Sequence, residues 1–274
     1  MNRMLINGQE TSLISASERA LQYGDGVFET IAIKNAQPLH WQRHMQRLLD
    51  GCIRLAIPAP DIELLKQQSL SLINQQTSAS AVVKIIVSRG VGGRGYRISE
   101  DVHPSTIISI SDWPDFPNSH YSEGVKIRSC ELQLSRQPRL AGIKHLNRLE
   151  QVLARQEWSD NSIAEGIMCD TEGNVIEGTM SNLFLVQAGV VLTPELSACG
   201  VAGIMRQLII EACEACEIDH RIEAVSYTQA RRSDEVFITN SLIELWPVRQ
   251  WDDKTYTVNG EITQLIINYI NKKR

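Results

Sequence analysis

No apolar run in this sequence approaches the roughly 20 residues that a membrane-spanning helix needs, so a membrane protein is not expected. A cationic patch is missing too. With 27 Lys and Arg against 32 Asp and Glu the net charge is −5, and the basic residues are scattered. A nucleic-acid partner, which calls for a clustered basic face, is therefore not expected. A small anionic ligand needs only a few placed donors and is not excluded. The opening MNRMLINGQET turns polar after three apolar residues and has no secretion-signal core, which leads us to expect a cytoplasmic protein. There are no internal repeats, no low-complexity tracts, and no GxSxG, HExxH or Walker motif.

What is present is ordinary for a globular chain: 43% hydrophobic and 22% charged residues over 274 positions, enough for two compact domains. Six cysteines, at 52, 130, 169, 199, 213 and 216, are expected to be reduced. Cys213 and Cys216 form a CxxC with His220 close behind, but no second ligand pair follows at zinc spacing. They lie in the apolar helical stretch QLIIEACEACEI, so small helix-face residues are the better reading and no metal is expected. His40 and His44 stand four apart on a helix without a third ligand nearby, and read as core or capping histidines.

Periodicity gives an α+β chain in two domains. Residues 1–113 read as a small N-terminal α/β domain: a strand at Met4–Ile6 closed by Asn7-Gly8, a strand pair at Phe28–Ile33 and Pro38–His40, helices from Trp41 and over Asp61–Leu72, and buried strands at Val82–Val87 and Thr106–Ile110. The segment 114–122, with prolines and small polar residues, reads as a linker. Residues 123–274 read as a larger domain. It has a strand at Val125–Leu134, a helix at His145–Trp158, a meander of short strands between Ile167 and Leu192 that suggests a barrel-like sheet, a helix at 204–216, a strand at Glu235–Thr239 and a final helix near 261–271.

Four features carry chemical possibilities. Gly90-Val-Gly92-Gly-Arg-Gly95 fits GxGxxG, but the YRISEDVHP that follows lacks helical periodicity, and a dinucleotide site needs a helix there. What remains is a loop with Arg89, Arg94 and Arg97 that could take an anion or simply be solvated. Among only eight lysines, Lys84 in VVKIIV and Lys144 in LAGIKHL lie in apolar sequence. A lysine that attacks a carbonyl must be partly desolvated, and both qualify. Alternation would turn Lys84 toward solvent, whereas Lys144 follows Ala141-Gly142 at a strand-to-helix junction. Gly203 opens an apolar-periodic helix whose N-terminal amides favour a phosphate. Glu177 ends a strand beside Gly178, as a cleft carboxylate or a plain turn residue.

Taken in order, Tyr23–Thr30 (YGDGVFET), His44–Leu48 (HMQRL), Arg89–Tyr96 (RGVGGRGY), Ala141–Glu150 (AGIKHLNRLE), Glu177–Phe184 (EGTMSNLF), Gly203–Arg206 (GIMR) and Asp234–Ile238 (DEVFI) resemble the fold-type-IV pyridoxal-phosphate enzymes across nearly the whole chain. The resemblance implies pyridoxal 5'-phosphate as cofactor, with Lys144 as the catalytic Schiff-base lysine. It implies Glu177 facing the pyridine nitrogen and Arg47 gripping the phosphate as a bidentate fork. The amides of Ile204 and Met205 after Gly203, together with Asn240 and Ser241, would complete that cradle. Within the family, SRGVGGRGY and LAGIKHLNRLEQVLAR are similar to the aminodeoxychorismate lyases, which implies conversion of aminodeoxychorismate to 4-aminobenzoate and pyruvate in folate biosynthesis. Arg94, Arg148 and Phe28 are then candidates for substrate contact, and a homodimer is implied. D-amino-acid and branched-chain transaminases share the scaffold, but RGYRISED lacks the arginine–histidine trap of the former and VVKII the tyrosine–arginine pair of the latter. A non-catalytic protein binding an anion or zinc is the remaining alternative.

Overall fold

The computed structural model describes residues 3–272 and forms two compact units, Met1–Asp115 with Ile143–Asn147, and Phe116–Gly142 with Arg148–Arg274. In the first, strands β1 (Arg3–Ile6), β2 (Gln9–Glu10), β3 (Gly26–Lys34), β4 (Gln37–Pro38), β5 (Ala81–Ser88) and β6 (Ser105–Asp112) make one antiparallel sheet in the order β2-β1-β6-β5-β3-β4. Its helices are α1 (Arg19–Tyr23), α2 (Trp41–Arg54) and α3 (Ile62–Ile73). Alternation along the strands turns Ile31, Ile33, Val83, Ile85, Ile108 and Ile110 to one face. Trp41, Met45, Leu48 and Cys52 of α2 and Leu65, Leu72 and Ile73 of α3 close over them in a single core. Asp61 caps α3, its carboxylate accepting the Leu64 N–H at 3.0 Å.

The pentapeptide Ile143–Asn147 departs from the expected domain division, which placed it within 123–274. It adds to the edge of β3 that the short β4 leaves uncovered. The Phe28 N–H donates to the Lys144 carbonyl at 2.9 Å, the Leu146 N–H to the Gly26 carbonyl at 3.0 Å, and Val27 bridges His145. This pairing also corrects the helix expected at His145–Trp158. Residues up to Arg148 are spent on the strand edge, and α5 (Leu149–Arg155), the fifth helix after α4 (Ser119–Ser122), starts only beyond them.

No helix follows the glycine loop; the chain from Val91 to Pro104 is irregular. Gly90 has φ 94°, and a Cβ there would lie 1.9 Å from the His103 carbonyl oxygen, so this turn admits only glycine. The loop is fastened to α1, with Arg19 Nη1 donating to the Gly95 carbonyl at 3.1 Å and the Gly95 N–H to the Tyr23 hydroxyl at 3.2 Å.

The second unit contains β7 (Val125–Ser129), β8 (Ile163–Cys169), β9 (Asn174–Gly178), β10 (Asn182–Gln187), β11 (Val190–Pro194), β12 (His220–Glu223), β13 (Val225–Ser226), β14 (Glu235–Thr239), β15 (Trp246–Trp251) and β16 (Lys254–Thr255), with helices α6 (Ile204–Ala215), α7 (Tyr227–Ala230) and α8 (Glu261–Lys272). Six of these strands close a barrel-like ring, β10-β14-β15-β7-β8-β9, completed where Asn182 pairs with Glu177. Val125, Ile127, Ile167, Val175, Leu183, Leu185, Val236, Ile238, Val248 and Trp251 share its core. On another face, α6 and α8 pack through Ile209, Ala212, Cys213 and Ile266 over Phe184, Val186, Val191 and Phe237. Cys213 is thus a small core residue. The stretch read as a linker is not bare. Phe116 and His120 meet the Trp246 ring edge-on at 5.1 and 4.6 Å, and this aromatic packing draws residues 116–122 into the second unit.

Candidate active site

The two faces of β3 do different work. Phe28 lies on the face away from the helices, and its ring receives two cations: Lys144 Nζ at 4.3 Å from the centroid and Lys84 Nζ at 5.1 Å. Lys84 pairs across β5 with Thr30, one step diagonal to Phe28, and is exposed, as alternation expected. Lys144 is half-buried, with its backbone tied to β3 and its amine against an aromatic wall. Such a ring attracts a cation and removes water from one side of it, which fixes the amine's direction.

The core face of β3 holds a residue that the sequence reading passed over. Glu29 is fully buried among Val27, Ile31 and α2, where an isolated carboxylate would be costly. Helix α2 supplies its partners three apart: His44 Nδ1 at 2.6 Å, Arg47 Nε at 2.7 Å and Arg47 Nη2 at 2.6 Å. Burial pushes the Glu29 carboxyl up, but the Arg47 charge and the hydrogen bonds of His44 and Arg47 outweigh it and hold the group at about 2. The bidentate fork expected on a phosphate is directed, through Nε and Nη2, at Glu29.

This cluster sets a pH dependence. Because Glu29 falls from its ordinary 4.5 to about 2 on folding, the unfolded chain binds the proton more readily, and stability drops as pH falls through that window. The loss across it should reach up to about 3 kcal/mol. Urea unfolding at pH 7 and at pH 3 should show Glu29→Gln with a much smaller acid penalty than the unaltered chain. Equal penalties would mean that the carboxylate does not carry this linkage.

In the second unit, Glu177 is the penultimate residue of β9 and is buried, and its Oε2 accepts the Val201 N–H at 2.8 Å. Val201 belongs to a strap, Gly200–Gly203, that leads into α6. The strap is laced to Gly142, whose N–H donates to the Gly200 carbonyl at 2.8 Å and whose carbonyl accepts from Ala202 at 3.1 Å. Gly142 lies two residues before Lys144 in the chain. Helix α6 follows the N-cap Gly203 with no side-chain cap, so the first-turn amides of Ile204 and Met205 carry no capping side chain and, with the helix dipole, have the character that favours an anion. Arg206 ties this turn to β11, Nε donating to Thr193 Oγ1 at 3.2 Å and Nη2 to the Pro194 carbonyl at 3.0 Å. Burial pushes the guanidiniums of Arg148, at the N-terminus of α5, and Arg206 down, and the negative charge of Glu177 opposes this in both. Glu177 thus sits within a cationic surrounding.

The other expected site residues are placed less favourably. The Asn240 side chain closes its own turn, Oδ1 accepting from Leu242 and Ile243 at 2.8 and 3.0 Å and Nδ2 donating to the Met180 carbonyl at 3.1 Å. The Asn240 carbonyl accepts from the Glu244 N–H at 2.9 Å, and Ser241 follows in the same turn. Arg94 is exposed in the glycine loop. Sequence reasoning also missed Glu165, a buried carboxylate on β8 that accepts from the N–H groups of Gly166, Thr179 and Met180 and the hydroxyls of Thr179 and Ser181. It shapes the turn directly after Glu177. In both glutamates the available signal was a charge inside an alternating apolar strand, a local conflict that marks a site.

Residues 26–251 match the amino-transferase class IV family, and the chain belongs to that family. It is 37% identical over 243 residues to an aminodeoxychorismate lyase of Vibrio harveyi, covering 89% of each chain. Among solved structures it resembles the 4-amino-4-deoxychorismate lyase of Pseudomonas aeruginosa, with a TM-score of 0.93, 42% identity and 98% of both chains covered. The branched-chain amino acid aminotransferase of Escherichia coli shares the fold, at a TM-score of 0.86 and 24% identity, with 98% of this chain and 93% of that one covered.

Proposed function

We propose that this chain is a pyridoxal 5'-phosphate-dependent lyase that converts 4-amino-4-deoxychorismate to 4-aminobenzoate and pyruvate. The observation that carries the reading is the 42% identity over 98% of the chain to a lyase of that specificity, joined to a half-buried lysine in the segment LAGIKHL. Each unit offers groups of the kind the cofactor needs. In the first, Lys144 would supply an amine for its aldehyde and Arg47 a cation for its phosphate; in the second, the Ile204 and Met205 amides would supply donors for the phosphate and Glu177 a carboxylate for the ring nitrogen. When bound, the cofactor supplies an electron-withdrawing ring.

The chain's own groups then divide the work. With the cofactor bound, the Nζ of Lys144 would take the proton from the amine-bearing carbon of the substrate and return it to the departing three-carbon fragment. Phe28 fixes where that amine stands. Glu177, held by the Val201 N–H and faced by two guanidiniums, presents a negative charge to the ring nitrogen. Arg148 and Arg94 offer cations to the two substrate carboxylates, Arg148 from a half-buried position and Arg94 from a loop pinned at Gly95. Positioned acid–base help of the Lys144 kind is worth about 10²–10⁴-fold in rate.

The protein works as a homodimer in the cytoplasm. Six free cysteines suit a reducing compartment, and exposed apolar side chains on α5, Leu149 and Leu153, suit a subunit contact. Among the described residues no helix is long and apolar enough to cross a membrane.

The test is a paired assay. With aminodeoxychorismate, equimolar 4-aminobenzoate and pyruvate should form, and with D-alanine plus 2-oxoglutarate pyruvate should form far more slowly. Faster transamination than lysis would replace this reading with that of a transaminase.

A further inference from the structure

Asn182 has no role in the chemistry described above, yet it makes two of the three contacts of a closed circuit with Glu177 and Val201. Its backbone pairs with Glu177 where β9 meets β10 and the barrel-like ring closes. Its side-chain Nδ2 donates to the Val201 carbonyl at 2.9 Å. The N–H of the same Val201 donates to the Glu177 carboxylate. These bonds form a closed circuit of Glu177, Asn182 and Val201. The other end of the amide is equally constrained: a Cβ on Gly203 would lie 2.0 Å from Asn182 Oδ1, so the strap passes against it with no room for a side chain. Asn182 is 6% exposed, and a buried amide that lost its partner would be penalised, so this geometry is strongly preferred.

We infer that Asn182 is a positioning residue that aims two cofactor-facing groups at once, the carboxylate of Glu177 and the first-turn amides of α6. It does so by holding the Val201–Gly203 strap that both depend on. The inference rests on the reading of Glu177 and α6 given above. Asn182→Ala would keep the strand pairing and remove the amide. Val201 would then lose the bond to its carbonyl side, and its N–H could drift from Glu177 Oε2.

The holoenzyme provides the test. Cofactor loss after dilution is followed by visible absorbance, and the pH midpoint of that absorbance is measured in parallel. In Asn182→Ala, loss should be about 3- to 10-fold faster, the size of one neutral hydrogen bond. The pH midpoint should move as well, because the ring nitrogen's partner is less well aimed. Leu185→Ala, three residues along β10 in the barrel core, serves as control: it should lower the melting temperature without moving the midpoint. Asn182→Ser provides a second variant if alanine does not fold. Retention and midpoint both unchanged in a folded Asn182 variant would overturn the inference while the cofactor reading stands. A midpoint that moves equally in Leu185→Ala would reduce Asn182 to a packing residue. An unaltered chain that binds no cofactor would remove the earlier reading, and this inference with it.

Discussion

Lys144→Ala is expected to lose both the visible absorbance of bound cofactor and turnover of aminodeoxychorismate, while melting close to the unaltered protein. The structure separates those two outcomes. What β3 requires of position 144 is a carbonyl for the Phe28 N–H, and alanine supplies it. The apolar anchor of the segment is the neighbouring Ile143, 3% exposed, which the substitution leaves alone. The contact of the ammonium with the Phe28 ring is worth about 0.5–1 kcal/mol at a partly exposed site. Catalysis loses far more, since the proton transfer alone accounts for about 10²–10⁴-fold. Lys84→Ala provides the contrast, because its amine stands against the same ring from the exposed strand β5. Should Lys84→Ala, and not Lys144→Ala, abolish the absorbance, the covalent role would pass to that residue.

How much of this could be read from the sequence depends on whether the signal was local. β14, Glu235–Thr239, was located residue for residue, and α3 and α6 within about a residue, because apolar periodicity and caps are properties of neighbours in the chain. Lys144 stood out for the same reason, as a charge inside LAGIKHL. The extent of α5 was misjudged because His145–Arg148 carries helical periodicity that the free edge of β3 overrides. Arg47 was singled out as a candidate, but its acidic partner was not, since Glu29 lies 18 positions away. The Asn240 side chain shows the same limit: that it bonds within its own turn is decided by backbone direction, which spacing does not record.

The carboxylate of Glu177 should matter in a different way from the amine of Lys144. Glu177→Gln keeps the size of the side chain and an oxygen for the Val201 N–H, so the strap and the barrel closure at Asn182 should persist. What disappears is the negative charge. Arg148 and Arg206, both half-buried and both drawn upward by Glu177, would then lack its charge, and the ring nitrogen of the cofactor would meet a neutral amide. Losing one preorganised charge of this type costs roughly 10²–10³-fold in kcat. Cofactor retention should change far less than the rate, since Lys144, the Ile204 and Met205 amides and Arg47 are untouched. Glu177→Ala should behave worse on both counts, because it also releases the Val201 N–H. Rate constants and absorbance measured on the two variants side by side distinguish these expectations. If Glu177→Gln turned over substrate at the unaltered rate with a normal spectrum, the charge at position 177 would not be what keeps the ring able to accept electrons.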